Sequence, residues 1–109
     1  MITTTRILTR TDNRLDGEQP WHLDEPFRSA ILTQEYLDHV GSTYAGKQTN
    51  QAWTRSEDSL TLTFTSSWNS VEDYQTYMND PICIAMFARR DAHNAQFGII
   101  SGPTTTTET

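Results

Sequence analysis

Three histidines (His22, His39 and His93) and one cysteine (Cys83) are the side chains here with ready acid–base or nucleophilic chemistry. His22 follows Trp21 in a stretch with no helix or strand period. An imidazole titrates near neutral pH, so His22 is the candidate acid–base group, set in a lid or pocket wall. The plainer alternative is a tryptophan anchoring the loop beside a solvated histidine. His93 stands two positions after Asp91, whereas neighbours on a helix face are three or four apart. Asp91 therefore cannot orient it, and His93 is expected on the solvated surface. Glu35 and His39 are spaced i, i+4 and could share a metal, but no third ligand lies nearby, so a surface pair is expected and no metal is assigned. Cys83 falls in the apolar run Ile82–Ala88 and is expected to be buried and inert. The chain lacks a Gly-rich phosphate loop, a G-x-S-x-G elbow and a spaced carboxylate motif. Trp53, Trp68, Tyr74 and Tyr77 are large enough to fill a core or to wall a pocket for an aromatic ligand. A buried tyrosine hydroxyl needs a partner, so Tyr74 or Tyr77 could offer a ligand a polar handle.

Composition bounds what such residues can serve. The net charge is −6, from 8 Lys+Arg against 14 Asp+Glu, and this argues against a nucleic-acid partner, which needs a basic face. One cysteine permits no intrachain disulfide and no tetrathiolate metal site. No apolar run reaches about 18 residues, so no membrane span is expected. Met1–Arg6 has no apolar signal region, so a cytoplasmic protein is expected. Leu, Ile, Val and Phe together make 20 of the 109 residues, below the roughly 20% at which disorder becomes a live option. The aromatic residues and the apolar periodicity oppose disorder. A small domain with so thin a core needs outside help, and a second subunit is the obvious source.

The elements that must position these side chains follow from the pattern. Thr3 to Arg10 reads as a β-branched strand, with Thr3, Thr5, Ile7 and Thr9 on one side and Thr4, Arg6, Leu8 and Arg10 on the other. Residues 11–26 read as a long loop, and such loops are usually functional or mobile. Phe27 to Tyr44 reads as one helix, with Pro26 in its first turn, Phe27, Ala30, Ile31, Leu37, Val40 and Tyr44 on one stripe, and Gly46 as its stop. Lys47 to Glu57 and Ser59 to Trp68 read as two strands joined by a turn near Asp58. Leu60, Leu62 and Phe64 alternate with Thr61, Thr63 and Thr65 in the second strand. Ser70 to Met78 reads as a short helix, and Asp80-Pro81 caps another that runs to about Gln96. Its apolar first half is expected to be buried and its polar second half to protrude. Phe97 to Ser101 reads as a last strand, broken by Gly102-Pro103. The result is a single domain over 1–103 and a Thr-rich tail over 104–109. A threonine run pairs well as a strand, and a partner subunit is the candidate to hold it. The order β-α-β-β-α-β predicts an α+β, ferredoxin-like fold: an antiparallel sheet with helices on one face.

One junction carries more than a period. The strand ending Ser66-Ser67-Trp68-Asn69-Ser70 opens into Val71-Glu72-Asp73-Tyr74, followed by Tyr77-Met78-Asn79-Asp80-Pro81. This resembles the strand-to-helix junction of the antibiotic-biosynthesis-monooxygenase-like family, the dimeric α+β barrels, which often read W-x-S-x-E-x-[FY]-x-x-[YWH]-[LM]-x-[SD]-P there. The resemblance covers Thr61 to Pro81 in motif detail and the rest of the chain in element order. It implies a homodimer packed sheet against sheet, with a small-molecule pocket between each sheet and its helices. Leu60, Leu62 and Phe64 would then face the helices. Thr49, Gln51 and Trp53 with Thr61, Thr63 and Thr65 would form the uncharged dimer interface. The family includes cofactor-free monooxygenases and haem-degrading enzymes. The haem-degrading branch needs a first-strand Asn, a helix Trp and a His ten residues later. Tyr77 and Phe87 occupy the last two positions here, and the first strand has no Asn, so haem degradation is rejected.

The expected function is binding of a small, aromatic or apolar organic molecule by a homodimer, with no cofactor. Cofactor-free monooxygenase-like chemistry would use His22 as base and Trp21, Trp68, Tyr74 and Tyr77 as walls. The alternative is a non-catalytic dimeric scaffold or binding module.

Overall fold

The first strand, β1 (Ile2–Arg10), lies inside the sheet and organises everything else. The computed structural model describes residues 1–10, 21–25 and 27–108, so the expectations for most of the 11–26 loop, for Pro26 and for Thr109 lie outside the described residues. Along the chain follow α1 (Phe27–Ile31), α2 (Gln34–Thr43), β2 (Gln48–Arg55), β3 (Thr61–Trp68), α3 (Val71–Met78), α4 (Pro81–Gln96), β4 (Ile99–Ser101) and β5 (Thr105–Glu108). The strand order is β2-β3-β1-β4, with β5 also paired to β1 and every pairing antiparallel. This is the expected α+β, ferredoxin-like arrangement, extended by one strand.

Side-chain alternation sorts the sheet into two faces. Register places Ile2, Thr4, Arg6 and Leu8 opposite Trp68, Ser66, Phe64 and Leu62. These residues meet the helices, because the buried clusters join Ile2 and Trp68 to Ile31, Tyr36, Tyr44, Cys83 and Met86, and Leu8 and Leu62 to Trp21 and Ile99. The other face carries Thr3, Thr5, Ile7 and Thr9 beside Ser67, Thr65, Thr63 and Thr61, and among the described residues no helix packs on it. Ile7 is 48% exposed and Ile100 53% exposed on that side.

Several expectations need correction. Gln51 and Trp53 pair with Ser66 and Phe64, so they belong to the helix face and not to the uncharged second face. The cause is a register shift between Gln48 and Asn50, which turns over the alternation counted from Thr49. The first helix is two helices. Thr33 takes extended backbone and its hydroxyl accepts from the Tyr36 N–H at 3.3 Å, so it caps α2 instead of continuing α1. Arg89 Nε donates to the freed Ile31 carbonyl at 2.9 Å and ties the break to α4. In α4 the buried stripe is Cys83, Met86, His93 and Asn94, so it runs through the polar half as well, while Ile84 in the apolar half is 47% exposed. Three- and four-residue spacing decided burial there, against local hydropathy.

The tail has its partner within the chain. Thr105–Glu108 pairs with Ile2–Thr5, and Ile99–Ser101 pairs with Leu8–Arg10 of the same strand. Gly102 joins the two segments, its N–H donating to the Ile7 carbonyl at 2.9 Å. A Cβ at Gly102 would stand 3.0 Å from that oxygen, so a larger residue would have to push the two backbones slightly apart.

Candidate functional site

Between the helix face of the sheet and the helices α2 and α4 lies a cleft of about 310 Å³. Trp53 and Phe64 form its sheet wall, with ring centroids 4.1 Å apart. Tyr36, Val40 and Met86 face them from the helices. A smaller chamber of about 120 Å³ adjoins it, lined by Trp68, Tyr74 and Phe87. Both spaces touch Arg6, Gln48, Phe64, Tyr77 and Arg90, which mark the boundary between them.

His22 lines the larger chamber and is 4% exposed. Its position follows from a turn at Trp21–Asp24. The Asp24 carboxylate accepts from the Trp21 N–H at 3.1 Å and from Arg55 Nη2 at 2.7 Å. Trp21 itself is buried among Leu8, Leu62 and Ile99, with the Arg10 guanidinium 5.1 Å from its ring centroid. So Trp21 anchors the segment from the core, and it is His22 that reaches the cleft. His22 Nδ1 lies 3.2 Å from Asn94 Oδ1. With that oxygen as acceptor the proton sits on Nδ1, and Nε2 presents a lone pair that is buried and has no partner among the described residues. Burial pulls the imidazole down from 6.5 to about 4, so the ring is neutral at physiological pH.

Tyr77 crosses the cleft from α3. Its hydroxyl is 2.6 Å from that of Tyr36, which satisfies both buried phenols, and burial raises both above the ordinary phenol range. Arg6, in the middle of β1, is the charged group on the sheet floor. Burial and the nearby Arg90 charge lower its guanidinium to about 10. Arg90 meets Asp91 at 3.2 Å at the rim, and Asp91 is exposed.

The structure therefore brings His22 and Tyr77 to one chamber, and Trp68, Tyr74 and Tyr77 to the other; Trp21 reaches neither. Arg6, Arg90, Asn94 and Phe64 escaped the reading by residue type, while Trp53, read both as a pocket wall and as dimer interface, takes the first role. The available signal was Arg6 itself, a charge flanked by Thr4 and Leu8 on the buried side of a strand.

The other candidates resolve structurally. His93 is buried between Phe27 and Phe97, with ring centroids 5.0 and 4.7 Å away, so the expectation of a solvated histidine fails. His39 turns away from Glu35, and its Nε2 lies 2.5 Å from Asp80 Oδ2. The Asp80 carboxylate also accepts from the Tyr44 hydroxyl at 2.7 Å and the Ile82 N–H at 3.0 Å. That arrangement binds α2 to the start of α4. Cys83 is fully buried, and burial raises its thiol to about 12. Among the described residues no group of three or more His, Cys, Asp or Glu could hold a metal, and no helix is long and apolar enough to cross a membrane.

No protein-family model matches the chain, and no curated protein matches it in sequence. Solved structures do match. One, from Deinococcus radiodurans, is assigned as an antibiotic biosynthesis monooxygenase; the TM-score is 0.56 at 12% identity, over 100% of this chain and 92% of that one. A second, a protein of Agrobacterium tumefaciens, has a TM-score of 0.49 at 12% identity over 99% of this chain and 92% of that one. At such identity the first likeness establishes the fold of the single chain, the ferredoxin-like α+β fold of the family that Thr61–Pro81 resembles.

Proposed function

We propose that this chain binds a small, aromatic or apolar organic molecule in the cleft between sheet and helices, and that it does so as a homodimer. The observation that carries the reading is the cleft's construction. About 310 Å³ is walled by Trp53, Phe64 and Tyr77, with one buried, unpartnered imidazole nitrogen on His22. An apolar cavity with a few convergent polar groups is the usual form of a small-molecule site. The homodimer reading is supported by the uncovered Thr- and Ile-bearing sheet face, which carries no charge on β1 or β3. Half-exposed Ile7 and Ile100 on a face without charge are better accounted for under a partner than in water.

Cofactor-independent, monooxygenase-like chemistry is the activity this reading favours. In such a reaction a base removes a substrate proton and the resulting carbanion reduces dioxygen. The chain would supply dry aromatic walls and His22 Nε2 as the proton acceptor. A pKa near 4 makes His22 a weak base, so its contribution is to receive and orient the substrate's O–H more than to ionise it unaided. A non-catalytic binding module uses the same cleft without the proton transfer.

Native mass spectrometry of the freshly purified protein tests the reading. A dimer carrying a retained small molecule is expected. A monomer would remove the dimer, and failure of the tryptophan fluorescence, to which Trp53 and Trp68 of the two chambers contribute, to respond to any bicyclic aromatic probe would remove the pocket. Oxygen uptake with the recovered molecule then separates enzyme from binding module. His22→Ala should lower that uptake by about 10²-fold, the usual scale for losing an acid–base group.

A further inference from the structure

We infer that the ligand of this cleft is an organic anion, with its charged oxygen held by Arg6 and its apolar body against Trp53 and Phe64; this rests on the small-molecule reading above. Arg6 sits on the inner face of an interior strand, directly across from Phe64. Its side chain touches both chambers of the cleft. Nε is buried without a hydrogen-bond partner, and among the described residues no ion pair reaches the guanidinium. A partly buried cation without a hydrogen-bonded partner is costly, and Arg90 nearby adds like-charge repulsion that the Asp91 charge offsets only in part.

The cleft's charge is unusual for this protein. The chain holds 14 carboxylates and a net charge of −6, yet among the described residues no Asp or Glu lines either chamber. Three arginines, Arg6, Arg28 and Arg90, line the larger one. Arg90 is neutralised only at the rim, by exposed Asp91, and the His22 ring is uncharged. Counted over the described residues, the lining of the larger chamber is net positive. A guanidinium presents a planar fork of N–H donors that fits a carboxylate or an ionised enol or phenol. Placing such an oxygen on Arg6 would satisfy the orphaned Nε and offset the Arg6–Arg90 repulsion at once.

The test compares 2-naphthoate with 2-naphthamide, which share shape and differ in charge, by calorimetric titration near neutral pH. The naphthoate is expected to bind at least about tenfold more tightly. Arg6→Gln should abolish that preference, and Arg6→Lys should keep part of it. Circular dichroism establishes that each variant is folded. Added salt should weaken naphthoate binding and leave naphthamide binding unchanged in the unmodified protein, a readout that needs no variant. Equal binding of the two probes, or a preference that survives in Arg6→Gln, overturns the anion assignment and leaves the pocket standing. Binding of neither probe at millimolar concentration overturns the assignment and the pocket reading together.

Discussion

Burial of His22 ties one residue to the stability of the whole chain. The folded ring takes a proton only below about 4, the unfolded ring already below 6.5. Between those values the unfolded chain binds more protons. Stability is therefore full above about pH 6.5 and is lost as pH falls through 6.5 toward 4. The shift corresponds to about 3 kcal/mol. Urea unfolding at about pH 7.5 and about pH 4.5 should show a decline of that order, much reduced in His22→Gln; an equal decline in both proteins would sink the idea. The candidate site was half legible at this scale. Residue type marked His22 and Tyr77, because imidazoles and phenols advertise their chemistry. It passed over Arg6, because arginine is ordinary on a surface and becomes informative only when a register places it opposite Phe64.

Helix ends show how single side chains set element boundaries. Asp80 was legible as the cap of α4, since it precedes Pro81 at the first helical position. Its bonds to His39 and Tyr44 were not, because these come from α2 and its C-cap, more than thirty residues away. The His39 hydrogen bond foremost, with that from Tyr44, holds the carboxyl down to about 2, from an ordinary 3.8. For an acid lowered on folding, stability is present above the unfolded value and lost as pH falls. This limb runs from 3.8 down toward 2 and lies below the one set by His22. Asp80→Ala should cost about 2 kcal/mol at neutral pH, by removing a cap and two side-chain bonds. Asp80→Asn should cost less while still flattening the acid limb, as chemical unfolding at several pH values would reveal. Thr33 shows the opposite outcome: the apolar stripe ran through it, and its hydroxyl cap still ended the helix.

For the molecule as a whole, the outer sheet face carries the proposed assembly. Ile7 lies near its centre, opposite Thr63, and is 48% exposed in the single chain. Ile7→Lys should leave the fold intact, because that side chain is half exposed and belongs to neither buried cluster, and should shift a dimer to monomer in light scattering. A dimer that persists in Ile7→Lys would place the interface elsewhere. Leu8, one residue on, is fully buried on the other face, and Leu8→Ala should cost about 2–5 kcal/mol in urea unfolding. Neighbouring residues with opposite consequences are the signature of a strand with two different surfaces.

The element types, their order and the ferredoxin-like class were determined by local pattern: alternation in Thr61–Trp68, capping at Ser70 and Asp80, and β-branched density in β1. These signals act over two to four residues, so a sequence carries them openly. Tertiary structure decided the rest. It set the register shift that turned Trp53 and Gln51 inward and the pairing of the threonine tail with β1. It also buried His93 and placed Arg6 in a cleft that no described carboxylate lines. Each depends on which distant backbone supplies the hydrogen bonds and which side chain lies across the gap, and no local period records that.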